Sequence, residues 1–234
     1  MLARGATNRE SGRMDLYEVM RTTGATRQFT GDELPDEVLA RILDNARFAP
    51  SGGNRQGNRV VVVRDPATRA ALGEFGRKGA KRYLLQKSMG ENPWNTIVAP
   101  AASAADIERF EVPDAFLQPC RDASVVLVFC VDLSVVASMD QDLDRVGVIS
   151  GASIYPFVWN VLLGARNEGF GGTLTTMAVV DEPGVKALLG IPDTFAVAAV
   201  VPLGTPVKQV SKLTRRPVSE IASRDAFAGP AFTA

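Results

Sequence analysis

Two stretches limit what this chain can become. "SVVLVFCV" (Ser124 to Val131) and "FAVAAVVPLG" (Phe195 to Gly204) run for eight and ten residues without a charge. Neither alternates apolar with polar residues, so each reads as a strand covered on both faces. Covering such strands calls for helices on either side, and the chain supplies them. "PDEVLARILDNARFA" from Pro35 puts Val38, Leu39, Ile42, Leu43 and Ala46 on one helical face. "DLYEVMR" from Asp15 starts a short helix before the β-branched "TTGATRQF". In "DPATRAALGEF", Asp65 is a natural N-cap and Pro66 a natural first helical residue. "EPGVKALLG" is a short helix stopped at Gly190.

A third strand is expected over Val60 to Val63, a long helix from about Leu143 to Asn167, and an extended segment after the glycines of "GFGGTLTTMAVV". Between Met89 and Pro119 four prolines interrupt every period, so residues 76–119 are expected to form an irregular excursion, a lid or a dimer arm. Strands alternating with helices predict one α/β or α+β layered domain over residues 14–234, preceded by a polar, mobile extension over residues 1–13.

The 26 basic and 26 acidic residues balance, which excludes a nucleic-acid binder that works through its overall field. The N-terminus has no apolar core of a secretion signal. Val146 to Ala165 carries no charge over the length of a membrane span, but its serines, asparagine, proline and three glycines fit a buried helix better. Cys120 and Cys130 are too few for a disulfide scaffold and read as reduced thiols of a cytoplasmic protein. With no histidine there is no histidine triad or histidine metal site, and no metal is expected. "GFGGT" follows a helix and precedes a strand, the reverse of a dinucleotide fingerprint. Any chemistry here therefore belongs to a cofactor.

One loop is dense in groups that would hold a polar, planar ligand. In "RFAPSGGNRQGNR" (Arg47 to Arg59), Pro50 fixes the turn, Ser51 and Gly52 offer backbone groups, and Asn54 and Gln56 carry amides that donate and accept. The same composition also makes an ordinary helix-to-strand turn.

Five segments in order, "MRTTGATRQF", "ILDNARFAPSGGNRQGNRVVVV", "GFGGTLT", "VVPLGTP" and "RRPVSE", resemble the nitroreductase family of FMN-dependent oxidoreductases over roughly Asp15 to Ile221. The resemblance implies an α+β, three-layer fold: a central, mainly antiparallel sheet flanked by helices, in an intertwined homodimer with FMN at the interface. It implies that Arg27, with Arg215 and Arg216 and with Arg21 behind them, meets the phosphate. Pro50, Ser51, Gly52, Asn54 and Gln56 would serve the ring edge, and Leu174, Thr175 and Thr176 the opposite wall. The family's usual Arg-Arg or Arg-His pair and serine are replaced here by Thr23, Gly24 and Ala25, so Arg27 is the phosphate contact carried over. A small-residue face of Gly147, Gly151 and Ala152 suits close packing of two helices, within one chain or across a two-fold axis. Trp94, Phe110 and Phe116 would line a substrate pocket or form the excursion's own core. The implied chemistry is hydride transfer from NADPH or NADH to flavin N5, then reduction of a nitroaromatic, quinone or similar small-molecule acceptor. No side chain is nominated as general acid or base. Dehalogenation, desaturation, flavin fragmentation and non-catalytic flavin binding are the alternatives.

Overall fold

The computed structural model describes residues 14–233, so the expected extension over residues 1–13 lies outside the described residues. A four-stranded sheet in the order β1-β2-β4-β3 forms its middle layer. The strands are β1 (Asn58–Val63), β2 (Val125–Asp132), β3 (Gly171–Gly172) and β4 (Phe195–Gly204). All neighbours run antiparallel. The two uncharged runs are the paired central strands, from Val125 opposite Leu203 to Asp132 opposite Phe195.

Successive β2 side chains serve two cores. Val125, Leu127, Phe129 and Val131 pack with α2 (Asp36–Ala46) and α6 (Tyr155–Asn167). Val126, Val128 and Cys130 share the other core with Leu72 of α3 (Pro66–Ser88), Cys120 of α5 (Asp114–Asp122) and Val185 of α7 (Glu182–Leu189). The result is the expected helix–sheet–helix sandwich, completed by α1 (Leu16–Thr22) and α4 (Ala104–Arg109). Caps set the helix ends, at Asp65 and Gly190 as the sequence predicts and at Asp15 in addition. The Asp15 carboxylate accepts the Tyr17 amide at 2.9 Å, Asp65 accepts that of Thr68 at 2.7 Å, and Gly190 ends α7 at φ 64°.

Three expectations are corrected. Residues 76–88 are helical, because α3 runs 23 residues to Ser88. Its buried face holds Leu72, Gly73, Gly76, Gly79 and Ala80, and these small residues hide the apolar period from a reader of the sequence. The irregular part is residues 89–103, ahead of α4 and α5. The helix expected from Leu143 begins as an α-helix only at Tyr155, after a 3-10 turn at Ile149–Ser153. The buried Asp140 carboxylate takes the amides of Val148 (2.7 Å) and Ile149 (3.3 Å) and the Arg145 guanidinium (2.7 Å), which fixes this stretch as a loop. Gly147, Gly151 and Ala152 therefore do not share an α-helical face. Finally, only Gly171–Gly172 is strand; Met177–Asp181 is 3-10 helix rather than extended. Among the described residues no helix is long and apolar enough to cross a membrane.

After β4 the chain turns back along residues 22–29. Phe29 bridges to Pro206, and the Val207 amide donates to Gln28 at 3.1 Å. Val210 and Leu213 cover Gly24 so closely that a Cβ there would lie 2.9–3.2 Å from their methyl groups.

Candidate functional site

A cavity of about 590 Å³ opens between α3, α5 and residues 173–178, with Val200 and Pro202 of β4 among its walls. Glycine makes one wall. The Thr26 amide donates to Gly172 O at 2.9 Å, and a Cβ on Gly172 would come within 2.7 Å of Pro202 O. That close approach carries the neighbouring Arg27 into the cavity. Beyond the glycines, Thr175 and Val200 exchange both backbone hydrogen bonds, at 3.0 and 2.9 Å. Leu174, Thr175 and Thr176 are thus held against β4 as cavity wall. On the facing side Gly73 and Gly76 bring the cavity up to the backbone of α3.

The electrostatics of the lining are one-sided. Arg27 and Lys87 are its charged residues, and no carboxylate lines it. Neither cation makes a hydrogen bond or ion pair among the described residues. The Cys120 thiol stands in the wall, but burial pushes it up to about 11, so it stays protonated near neutral pH and is no nucleophile. The cavity offers positive charge, hydroxyl groups and backbone, with no base among the lining side chains. Its charge suits an anionic guest.

Of the residues singled out in the sequence, Arg27, Leu174, Thr175 and Thr176 come together here. Pro50, Ser51, Gly52, Asn54 and Gln56 do not line the cavity. Their loop leans on the α2–α6 layer, where the Gly52 amide donates to Ser153 Oγ at 3.1 Å. Inside the loop, Ser51 Oγ accepts the Gln56 amide at 3.0 Å and Ser51 O accepts that of Asn54 at 2.9 Å. Gly53, Asn54 and Gln56 sit at φ 60°, 52° and 50°, a left-handed conformation that costs a non-glycine residue about 1–2 kcal/mol. The loop is exposed, and the Asn54 side-chain amide makes no hydrogen bond among the described residues. Arg215 and Arg216 are exposed on the returning tail, two and three residues beyond Leu213, and stay outside the cavity.

Sequence reasoning misses the α3 face, Gly73, Gly76, Tyr83 and Lys87, and Cys120 of α5. The three-residue spacing of Gly73, Gly76 and Gly79 is the signal that marks this helix face, and nothing comparable marks Tyr83 or Lys87. Of the three aromatic candidates only Phe116 lines the cavity. Trp94 instead lies under the Arg82 guanidinium, 4.1 Å from its ring centre.

A helix–sheet–helix sandwich with a cavity whose charged lining residues, Arg27 and Lys87, are both cations defines an α+β protein with room for an anionic guest. The chain belongs to the Nitroreductase family, which it matches over residues 20–205. It is 31% identical over 198 residues to an NADH dehydrogenase of Thermus thermophilus, covering 83% of this chain and 88% of the relative. It is 24% identical over 211 residues to iodotyrosine deiodinase 1 of Pongo abelii, covering 88% and 67%. Among solved structures, oxidized iodotyrosine deiodinase bound to FMN and 3-iodo-L-tyrosine superposes with a TM-score of 0.66 at 22% identity, over 91% of this chain and 100% of that one. The NADPH:FMN oxidoreductase of Vibrio harveyi, complexed with NAD+, gives 0.63 at 21% identity over 91% and 77%.

Proposed function

We propose that this chain is an FMN-dependent oxidoreductase, a cytoplasmic homodimer that takes electrons from NADPH or NADH and reduces small electron-poor acceptors such as nitroaromatics and quinones. The observation that carries the reading is the divided site. One chain holds a cationic cavity, and its strained amide-bearing loop faces elsewhere. The residues fit the cofactor. A flavin phosphate needs a charged, hydrogen-bonding partner, and Arg27 is a guanidinium with no other claim on it among the described residues. Bound FMN would supply two-electron redox chemistry, which no side chain of the cavity can provide.

The chain's own residues bind and orient. Arg27 holds the phosphate, with Arg215 or Arg216 approaching along the tail that packs over Gly24. Leu174 and Thr175 present a flat wall whose backbone is committed to β4, and Thr176 adds a hydroxyl that makes no hydrogen bond among the described residues. Pro50, Ser51, Gly52, Asn54 and Gln56 of a second copy close the ring edge with donors and acceptors. Pairing of two copies is supported by the surface. The chain exposes 14841 Å², against about 10,200 Å² for a compact monomer of 25.0 kDa. More than about 2,000 Å² of surplus remains after subtracting the full extended-chain area of the fourteen residues outside the described set. The exposed apolar residues include Tyr17 on α1, Phe48 after α2, and Met139 and Val148 before α6, a surface of the kind that stable subunits bury. Two buried free thiols fit a reducing compartment.

Dehalogenation is the second reading, favoured by the deiodinase relatives. It ranks lower because the cavity has no carboxylate to pair with the ammonium of an amino acid. The test is the visible spectrum of the purified protein after loading with FMN and gel filtration, followed by NADH and NADPH oxidation with a nitroaromatic, a quinone or 3-iodotyrosine. About one FMN per subunit and turnover with the first two are expected. A folded protein that retains no flavin overturns the proposal. Retained flavin without NAD(P)H oxidation reduces it to flavin binding, and selective turnover of 3-iodotyrosine passes it to dehalogenation.

A further inference from the structure

The second cation of the cavity has no task in that account. Lys87 sits in the last turn of α3, fourteen residues and about 21 Å along the helix axis from Gly73 at the other end of the same cavity. Arg27 enters from a different wall, through the Thr26–Gly172 pairing. One turn before Lys87 on the same helix face, Tyr83 also lines the cavity, and its hydroxyl makes no hydrogen bond among the described residues. Its ring lies 6.4 Å from that of Phe116, tilted by 38°, so the two rings form an aromatic part of the cavity that Lys87 also lines.

The other charges around this end are already engaged. Lys81 is paired with Glu108, and Arg82 is bonded to Gln86 and stacked on Trp94. Glu91 accepts Gln86 Nε2 and the amides of Ala101 and Ala102. A lysine in a last turn complements the helix dipole. That accounts for a positive charge on α3, but not for an exposed ammonium and a phenol, neither with a partner among the described residues, on the lining of one cavity beside Phe116.

We propose that Tyr83 and Lys87 read an anionic substituent on the acceptor, so that this chain prefers planar aromatic acceptors bearing a carboxylate over their neutral counterparts. The ammonium takes the carboxylate, the Tyr83 hydroxyl donates to it, and Phe116 flanks the ring. This rests on the proposed FMN-dependent reading and places the acceptor at the Tyr83–Lys87 end of the same cavity.

The experiment has two arms. In the first, benzoate and benzamide, which do not react, are titrated calorimetrically into the protein with and without FMN, for the wild type, Lys87→Met, Lys87→Arg and Tyr83→Phe. In the second, kcat and KM are compared for 4-nitrobenzoate and 4-nitrobenzamide. Wild type is expected to favour benzoate by about tenfold, the range of one charge-assisted hydrogen bond. Lys87→Met should erase the preference, Lys87→Arg keep most of it, and Tyr83→Phe lower it about threefold. The kinetic preference should disappear through KM, with kcat unchanged. An equal loss of benzoate and benzamide binding in Lys87→Met assigns the lysine a structural task and overturns the proposal. So does an unchanged acceptor ratio beside an altered ratio of NADPH to NADH. The binding arm needs no turnover: charge preference without NAD(P)H oxidation fails the proposed reaction alone, and turnover without charge preference fails this inference alone.

Discussion

Gly76 and Gly79 lie one turn apart on the buried face of α3, yet replacing each by alanine should move stability in opposite directions. In a helix interior alanine is worth about 0.8–1 kcal/mol over glycine. At position 76 the new methyl group would find Met177 Cβ as its nearest neighbour, at 3.6 Å, an ordinary contact. The helix gain then stands, and Gly76→Ala should be more stable by about 0.5–1 kcal/mol. At position 79 the methyl would lie 2.5 Å from Met177 O and 3.1 Å from its Cα and carbonyl carbon. These are backbone atoms, held by the Thr175–Val200 pairing just upstream, so they cannot swing aside as a side chain would. Overpacking costs about 1–3 kcal/mol, and contact this short with backbone belongs at the upper end. After the helix gain, Gly79→Ala should lose about 2 kcal/mol. Urea unfolding followed by circular dichroism, at one fixed protein concentration without flavin, reads both. With a slope of about 2–3 kcal/mol/M, the midpoint should fall by roughly 0.8 M for Gly79→Ala and rise by roughly 0.3 M for Gly76→Ala. Equal stabilisation by the two variants would refute the close seating of α3 on Met177. Because Gly76 also lines the cavity, its alanine variant should hold FMN less well while being the more stable protein.

Other outcomes follow from the same geometry. Arg27→Met should weaken FMN binding about 10- to 100-fold in a flavin-fluorescence titration while leaving the urea midpoint in place, since the guanidinium is exposed and unpaired among the described residues. Gln86→Leu strands the Trp94 amide (3.1 Å), Arg82 Nε (3.1 Å) and Glu91 Oε2 (2.7 Å). It should cost about 2 kcal/mol and open residues 89–102 to limited proteolysis; an intact protease pattern would deny Gln86 that role. Gln56→Gly relieves a left-handed residue at φ 50° and should leave stability equal or slightly higher while FMN affinity drops, a split that simple loop damage would not give. Burial raises the Cys120 thiol from its ordinary 9.0 to about 11. The folded protein therefore keeps the proton that the unfolded chain gives up. This contribution is whole below pH 9 and is lost as pH rises toward 11, on the order of 2–3 kcal/mol. Cys120→Ala should flatten that decline in urea titrations across this range.

The sandwich is legible in the sequence where burial leaves no choice of residue. Val125–Val131 of β2 and all of β4 hold no charge, since both faces are covered, and α2 carries a full apolar stripe. The length of α3 is not legible, because its buried stripe is written partly in glycine and its exposed face in lysine and arginine. The start of α6 is obscured for another reason. A carboxylate eight residues away in sequence, Asp140, decides whether Val148 joins a helix or a loop. In the site, Arg27 and Leu174–Thr176 sit beside glycines whose spacing marks a close backbone approach, and they can be found from it. Lys87 and Tyr83 cannot, since one more lysine and tyrosine on a helix say nothing until the cavity shows which way that helix faces.

The placing of the cationic cavity and the strained loop on separate regions of one chain reaches into genetics. Under the proposed assembly, an Arg27 variant and a variant of the 50–56 loop each leave every site of their own homodimer defective. Mixed in one cell they form heterodimers in which both lesions fall on one site and the other site is built wholly from intact parts. With random pairing about a quarter of all sites recover. Two alleles that fail alone would then succeed together, and two alleles of the same half never would.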